Sequence, residues 1–110
     1  QVIQDVNLSE YINKSPVGIN LKTGERGSNL SSGQIQRLGI ARALYKNKEI
    51  IILDEATNAL DKKNENFVFE TLNKIKGLTL IFISHNEELI KRCDQVLFIK
   101  DGKLNCIFQT

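Results

Sequence analysis

The chain has 110 residues, 41% of them hydrophobic and 25% charged, which bounds it to one globular domain or part of one. A net charge of +2, with the lysines and arginines scattered, gives no case for a nucleic-acid partner, and no apolar run approaches the ~18 residues of a membrane span. With no Trp, no Met and few aromatics, the core has to be aliphatic.

In chain order, residues 1–14 carry a weak helical pattern, with Val2, Ile3, Val6, Tyr11 and Ile12 as core contacts, and Pro16 and Gly18 end it. Residues 18–29, GINLKTGERGSN, hold three glycines and read as a loop. Ser31 is a natural helix N-cap, and Gln34 stands three residues later, where a capping box places it. Ile35, Leu38, Ala41 and Tyr45 then recur at helical spacing, with Ile40 and Leu44 beside them. Lys46 and Lys48 close the pattern, where cations suit the helix dipole.

The run from Glu49 to Asp54 is apolar between two acids and predicts a strand buried on both faces. Asp61 suits the N-cap of a second helix, with Phe67, Val68, Leu72 and Ile75 turned inward and Gly77 as its stop. LTLIFIS, residues 78–84, predicts another buried strand. Asn86 caps a short helix reaching about Cys93, and QVLFIKDGKLNCIF predicts two strands around Asp101-Gly102. Cys93 and Cys106 form no motif, and a reduced intracellular pair is the default for them.

Helices alternating with non-alternating apolar strands imply an α/β fold: a mostly parallel sheet with flanking helices and a C-terminal β-hairpin. Ligands in such sheets bind at the carboxyl ends of the strands. Asp54, Glu55 and His85 all stand where an apolar strand has just ended. Side chains alternate along a strand, so one of the adjacent carboxylates can face a metal ion while the other faces a water. A solvated acid pair accounts for Asp54-Glu55 equally well, and a lone histidine after a strand is more often structural. His85 falls on the same sheet edge as Glu55 and can donate to a phosphate oxygen. The Ser31–Gln34 tip offers unpaired amides, two hydroxyls and, at Gly33, room for close approach of an anion; taken alone it is also simply a well-capped helix.

The order LSSGQ (30–34), IIILDEAT (50–57), NALD (58–61) and SH (84–85) resembles the ATP-binding cassette (ABC) family of ATPases. Leu30–Gln34 is similar to the family signature LSGGQ, with Ser32 in place of its first glycine. Residues 49–54 resemble the Walker B strand, with Asp54 at the metal-binding aspartate and Glu55 at the catalytic glutamate. Asn58–Asp61 is similar to the D-loop, commonly SALD, and His85 matches the switch histidine. Gly24, Glu25 and Gly27 match a Gly-Glu-x-Gly element of exporter-type members, the X-loop, with Thr23 where valine is usual.

The resemblance implies a P-loop NTPase-like sheet and a site for ATP and Mg²⁺. It implies Glu55 and His85 as catalytic residues, Asp54 as the metal residue, and Ser31, Ser32, Gly33, Gln34 and Asp61 as nucleotide contacts. It implies a head-to-tail dimer with a second nucleotide-binding domain, whose ATP the signature would touch. A transmembrane domain would be the other partner, and the place of work the cytoplasmic face of the cell (inner) membrane. No GxxxxGK[ST] string occurs in the 110 residues; the only lysine directly after a glycine is Lys103. The expectation is therefore a C-terminal part of one nucleotide-binding domain, lacking the P-loop strand and inactive alone. About residues 1–45 would be a helical-subdomain remnant and about 46–110 part of the catalytic core. ATP-driven export is the function implied; a soluble cassette ATPase of the DNA-repair or translation-associated kind is the alternative.

Overall fold

The computed structural model describes residues 1–108. Two single-turn helices, α1 (Val2–Asp5) and α2 (Ser9–Asn13), open the chain. Short 3₁₀ turns at Gly18–Asn20 and Glu25–Gly27 punctuate the segment expected to be a loop. The long helix α3 (Ser32–Tyr45) follows, then β1 (Ile50–Asp54), α4 (Lys62–Asn73), β2 (Thr79–Ile83), α5 (Glu87–Ile90), β3 (Gln95–Lys100) and β4 (Lys103–Phe108).

β1 and β2 pair in parallel, with Ile50 opposite Thr79 and Asp54 opposite Ile83. α4 is the crossover between them, the connection that parallel strands require. β3 and β4 form a separate antiparallel hairpin, with Gln95 opposite Phe108. Its turn residues Asp101 and Gly102 have φ of 51° and 71°, the left-handed pair that a two-residue hairpin loop demands.

The core lies where α1, α3 and α4 meet one face of β1–β2, and Val6, Leu8, Ile40, Ala41, Ile51 and Leu53 belong to it. In α4 the inward positions are Glu65, Val68, Phe69 and Leu72, spaced as one helical face. Phe69, not the expected Phe67, turns inward: it meets Phe82 edge-on with ring centres 6.0 Å apart, and the Arg92 guanidinium covers it at 4.7 Å. Ile75 is part-exposed because α4 ends at Asn73, before the turn that Gly77 occupies. In α3 the buried residues are Ile40 and Ala41, whereas the expected contacts Ile35 and Tyr45 are exposed.

Burial of both strands on two faces is not what the structure has. Ile51 and Leu53 are 5% and 4% exposed, but Ile50 and Ile52 are 59% and 62% exposed. Ile81 and Ile83 continue this bare face on β2. The helices cover one side of the sheet, and nothing among the described residues covers the other.

Candidate functional site

The tip of α3 is built by its own sequence. Ser31 Oγ accepts from the Gln34 amide at 3.2 Å, and the Gln34 carboxamide oxygen accepts from the Ser31 amide at 2.8 Å. This is the expected capping box. It engages Ser31 Oγ and the Gln34 carboxamide oxygen only as acceptors, so the Ser31 O–H and the Gln34 NH2 stay free to donate, and it leaves the Ser32 and Gly33 amides without an acceptor among the described residues. Ser31 and Ser32 are exposed. Gly33 has a second reason to be glycine: a Cβ there would stand 3.1 Å from the carbonyl oxygen of Ala59, on the loop after β1.

At the other end of the molecule's chemistry, β1 runs out at Asp54, and Glu55 turns the chain. The Glu55 amide still donates to the Ile83 carbonyl at 3.1 Å, so the parallel ladder extends one residue past the strand. Glu55 then takes φ of 47°. The other non-glycine residues with positive φ are Asn7, Asn47 and Asp101, types that tolerate the left-handed region; a glutamate does so at a cost of about 1–3 kcal/mol. This turn brings the Glu55 carboxylate to His85, with Oε1 and Nε2 3.5 Å apart. Its other oxygen, Oε2, accepts from the Asn58 carboxamide at 3.0 Å. The His85 side chain is 92% exposed and that of Glu55 49%, so the pair faces solvent rather than a closed pocket. Asp54 is exposed beside them.

A buried polar bracket lies behind this edge. Glu65, 9% exposed, accepts from the Thr57 hydroxyl at 2.8 Å and from the Asn86 carboxamide at 2.7 Å. Thr57 follows Glu55 by two residues and Asn86 follows His85 by one, so a single α4 carboxylate ties both loops to the helix. Asn86 also caps α5, its side chain accepting from the Glu88 amide at 3.0 Å.

Asp61 caps α4. One oxygen accepts from the Asn64 amide and the other from the Asn64 carboxamide, both at 2.8 Å. These two bonds, the backbone one first, hold its carboxyl below the ordinary carboxylate range. A depressed pKa means the bonds stabilise the fold above Asp61's ordinary pKa, and that contribution is lost as pH falls through the lowered value. Arg37 of α3 reaches the same corner, donating to the Asn7 carbonyl at 2.6 Å and to Asn64 at 3.2 Å.

The structure therefore brings Glu55, His85 and Asp54 to one edge. It holds Ser31, Ser32, Gly33 and Gln34 at another, and no hydrogen bond among the described residues joins the tip to Glu55 or His85. The loop 58–61 lies between: besides Gly33 against Ala59, the Ala59 amide donates to the Gln36 side chain of α3 at 3.0 Å. No group of three or more His, Cys, Asp or Glu side chains gathers as a metal cage among the described residues. The donor sets present fit the pieces of a metal–nucleotide site: free amides at a helix tip suit a phosphate oxygen, and a lone exposed carboxylate suits a Mg²⁺ that keeps waters and phosphates as its other ligands.

Sequence reasoning missed Glu65 and Gln36. The signal for Glu65 was an acid on the same helical stripe as Val68 and Leu72; Gln36 carries none, because its partner is a backbone amide far along the chain.

The sequence model of the ABC transporter family matches residues 3–58. The chain belongs to the ABC transporter family. It is 44% identical over 99 residues to "Multidrug resistance protein 1" of Entamoeba histolytica, taking in 89% of this chain and 8% of that protein. It is 41% identical over 105 residues to "ATP-dependent lipid A-core flippase" of Xylella fastidiosa, covering 94% of this chain and 18% of that one. Among solved structures, "Structure of a bacterial Atm1-family ABC exporter with ATP bound" superposes with a TM-score of 0.85 at 34% identity, over 94% of this chain and 18% of that chain. The chain thus spans less than a fifth of the length of these relatives. Its fold is that of part of an ABC nucleotide-binding domain: a small parallel sheet, flanking helices and a C-terminal hairpin.

Proposed function

We propose that residues 1–110 are the C-terminal part of the nucleotide-binding domain of an ABC exporter, and that the full-length protein hydrolyses ATP to drive export across a membrane. Within it, about residues 1–45 belong to the helical subdomain and about 46–110 to the catalytic core. The observation that carries the proposal is the Glu55–His85 pair, 3.5 Å apart at the carboxyl edge of a parallel strand pair, in a chain of this family. The names of the relatives, a multidrug resistance protein, a lipid flippase and an exporter, favour export over the soluble cassette ATPases.

Phosphoryl transfer needs position and charge compensation more than covalent chemistry. Glu55 orients and polarises the attacking water. His85, exposed beside it, donates to the terminal phosphate and registers its loss. The Ser32 and Gly33 amides, with the Ser31 and Ser32 hydroxyls and Gln34 at the same tip, receive the terminal phosphate of a nucleotide carried by a second nucleotide-binding domain, stacked head to tail. Asp61 couples the two sites across that interface. Asp54 would be the residue that holds Mg²⁺, and the ion would supply charge neutralisation on the phosphates.

Residues 1–110 alone contain no P-loop string and neither bind nor hydrolyse ATP measurably. No helix among the described residues is long and apolar enough to cross a membrane. A transmembrane domain elsewhere in the full-length protein supplies the pathway, with this domain at the cytoplasmic face of the cell (inner) membrane. Gly24, Glu25 and Gly27 contact it.

The test is Glu55→Gln in the full-length protein. Turnover is expected to fall by roughly 10²–10⁴ with ATP binding retained. Unchanged turnover overturns the assignment of Glu55.

A further inference from the structure

We propose that Asn58 is a positioning residue for Glu55: its carboxamide holds the Oε2 oxygen of the carboxylate and leaves the Oε1 edge, beside His85, for the reacting water. The proposal rests on the role given to Glu55 above. Three observations carry it.

Asn58 closes the turn at Glu55 twice. Its amide donates to the Glu55 carbonyl at 3.2 Å, and its side chain donates to Glu55 Oε2 at 3.0 Å. The turn needs closing, since Glu55 sits at φ of 47° without the side-chain type that tolerates it.

Asn58 is itself anchored. The next residue, Ala59, donates its amide to Gln36 at 3.0 Å, and its carbonyl packs against Gly33. The clamp therefore stands on α3, a rigid helix, rather than on a free loop.

Both side chains are exposed, so burial does not hold the carboxylate in place. An exposed glutamate samples several rotamers, and a directional donor on one oxygen favours the rotamer that the structure has. The donor is neutral, so it orients the carboxylate without neutralising it. A serine, the residue common at this point of the resembling motif, carries its hydroxyl one bond nearer the backbone than the Asn58 carboxamide nitrogen that reaches Oε2 at 3.0 Å.

The experiment measures steady-state ATP hydrolysis by the full-length protein with Asn58→Ala and Asn58→Asp, each also made in the Glu55→Gln background. Loss of the donor is expected to lower kcat about tenfold with KM for ATP unchanged. Asn58→Asp, close in shape but an acceptor carrying like charge, is expected to be slower still. Neither change adds to the loss in the Glu55→Gln background, because the carboxylate that Asn58 orients is no longer there to act on the water, even though a glutamine oxygen can still accept from Asn58. A kcat at wild-type level in both variants, a milder effect of Asp than of Ala, or an undiminished loss in the Glu55→Gln background overturns the assignment. Should Glu55→Gln itself hydrolyse normally, the failure lies with the role of Glu55; should it be inactive while both Asn58 variants work normally, the failure lies with Asn58 alone.

Discussion

The two faces of the β1–β2 sheet have nearly the same composition and opposite fates. Ile51 and Leu53 point at α3 and α4 and are sealed; Ile50 and Ile52, one position along, are more than half exposed, as is close to true of Ile81 and Ile83 on β2. Each β1–β2 strand also has one unpaired edge among the described residues. A sheet so apolar on both sides is suited to two covers, and residues 1–108 supply one. Composition of a strand records how many covers its sheet is made for; it does not say that one chain segment carries them all.

That contrast can be broken most sharply on the covered face. Leu72→Ala removes a side chain that is 2% exposed and should cost about 2–5 kcal/mol, read as a lower urea midpoint. A loss below 1 kcal/mol would mean that the α4 contact is loose. Next in size is the polar bracket: Glu65→Ala leaves Thr57 and Asn86 without their acceptor and should cost about 1–3 kcal/mol by the same measurement. Glu65→Gln, which keeps one acceptor oxygen, should lose less. Smallest is the bare face, where Ile52→Thr should change stability by no more than about 0.5 kcal/mol while reducing self-association in sedimentation. A large destabilisation there would place Ile52 inside a core.

Local features of the fold were legible. The Ser31–Gln34 box, the Asp61 and Asn86 caps and the Asp101-Gly102 turn each join groups within a few residues, so the residue types suffice to announce them. The facing of helices was legible only in part. Spacing selects a stripe, but Phe67 and Phe69 both border it in α4, and the neighbouring Phe82 and Arg92 decide that Phe69 turns in. Tyr45 fits the stripe of α3 yet lies at the helix end, past the core.

Of the candidate site, the chain order of the motifs placed Asp54, Glu55 and His85 at strand ends, and parallel register then decided their distances. Because Asp54 pairs with Ile83 and the Glu55 amide still bonds to the Ile83 carbonyl, His85 falls beside Glu55. A shift of one residue would part them.

By itself the sequence determined which elements form, in what order, and which residues begin the capped helices and turn the hairpin, since caps, turns and apolar runs act through neighbours along the chain; the C-terminal ends it misplaced, since α4 stops at Asn73 rather than by Gly77 and α5 at Ile90 rather than about Cys93. Only the tertiary structure decided which sheet face is covered, that Glu65 ties the Glu55 and His85 loops together, and that Asn58 holds Glu55 while Gln36 holds Asn58's neighbour. Most of those contacts join residues distant in the chain, and even the short Asn58–Glu55 contact depends on the left-handed turn that the β1–β2 ladder and the α3 anchor impose.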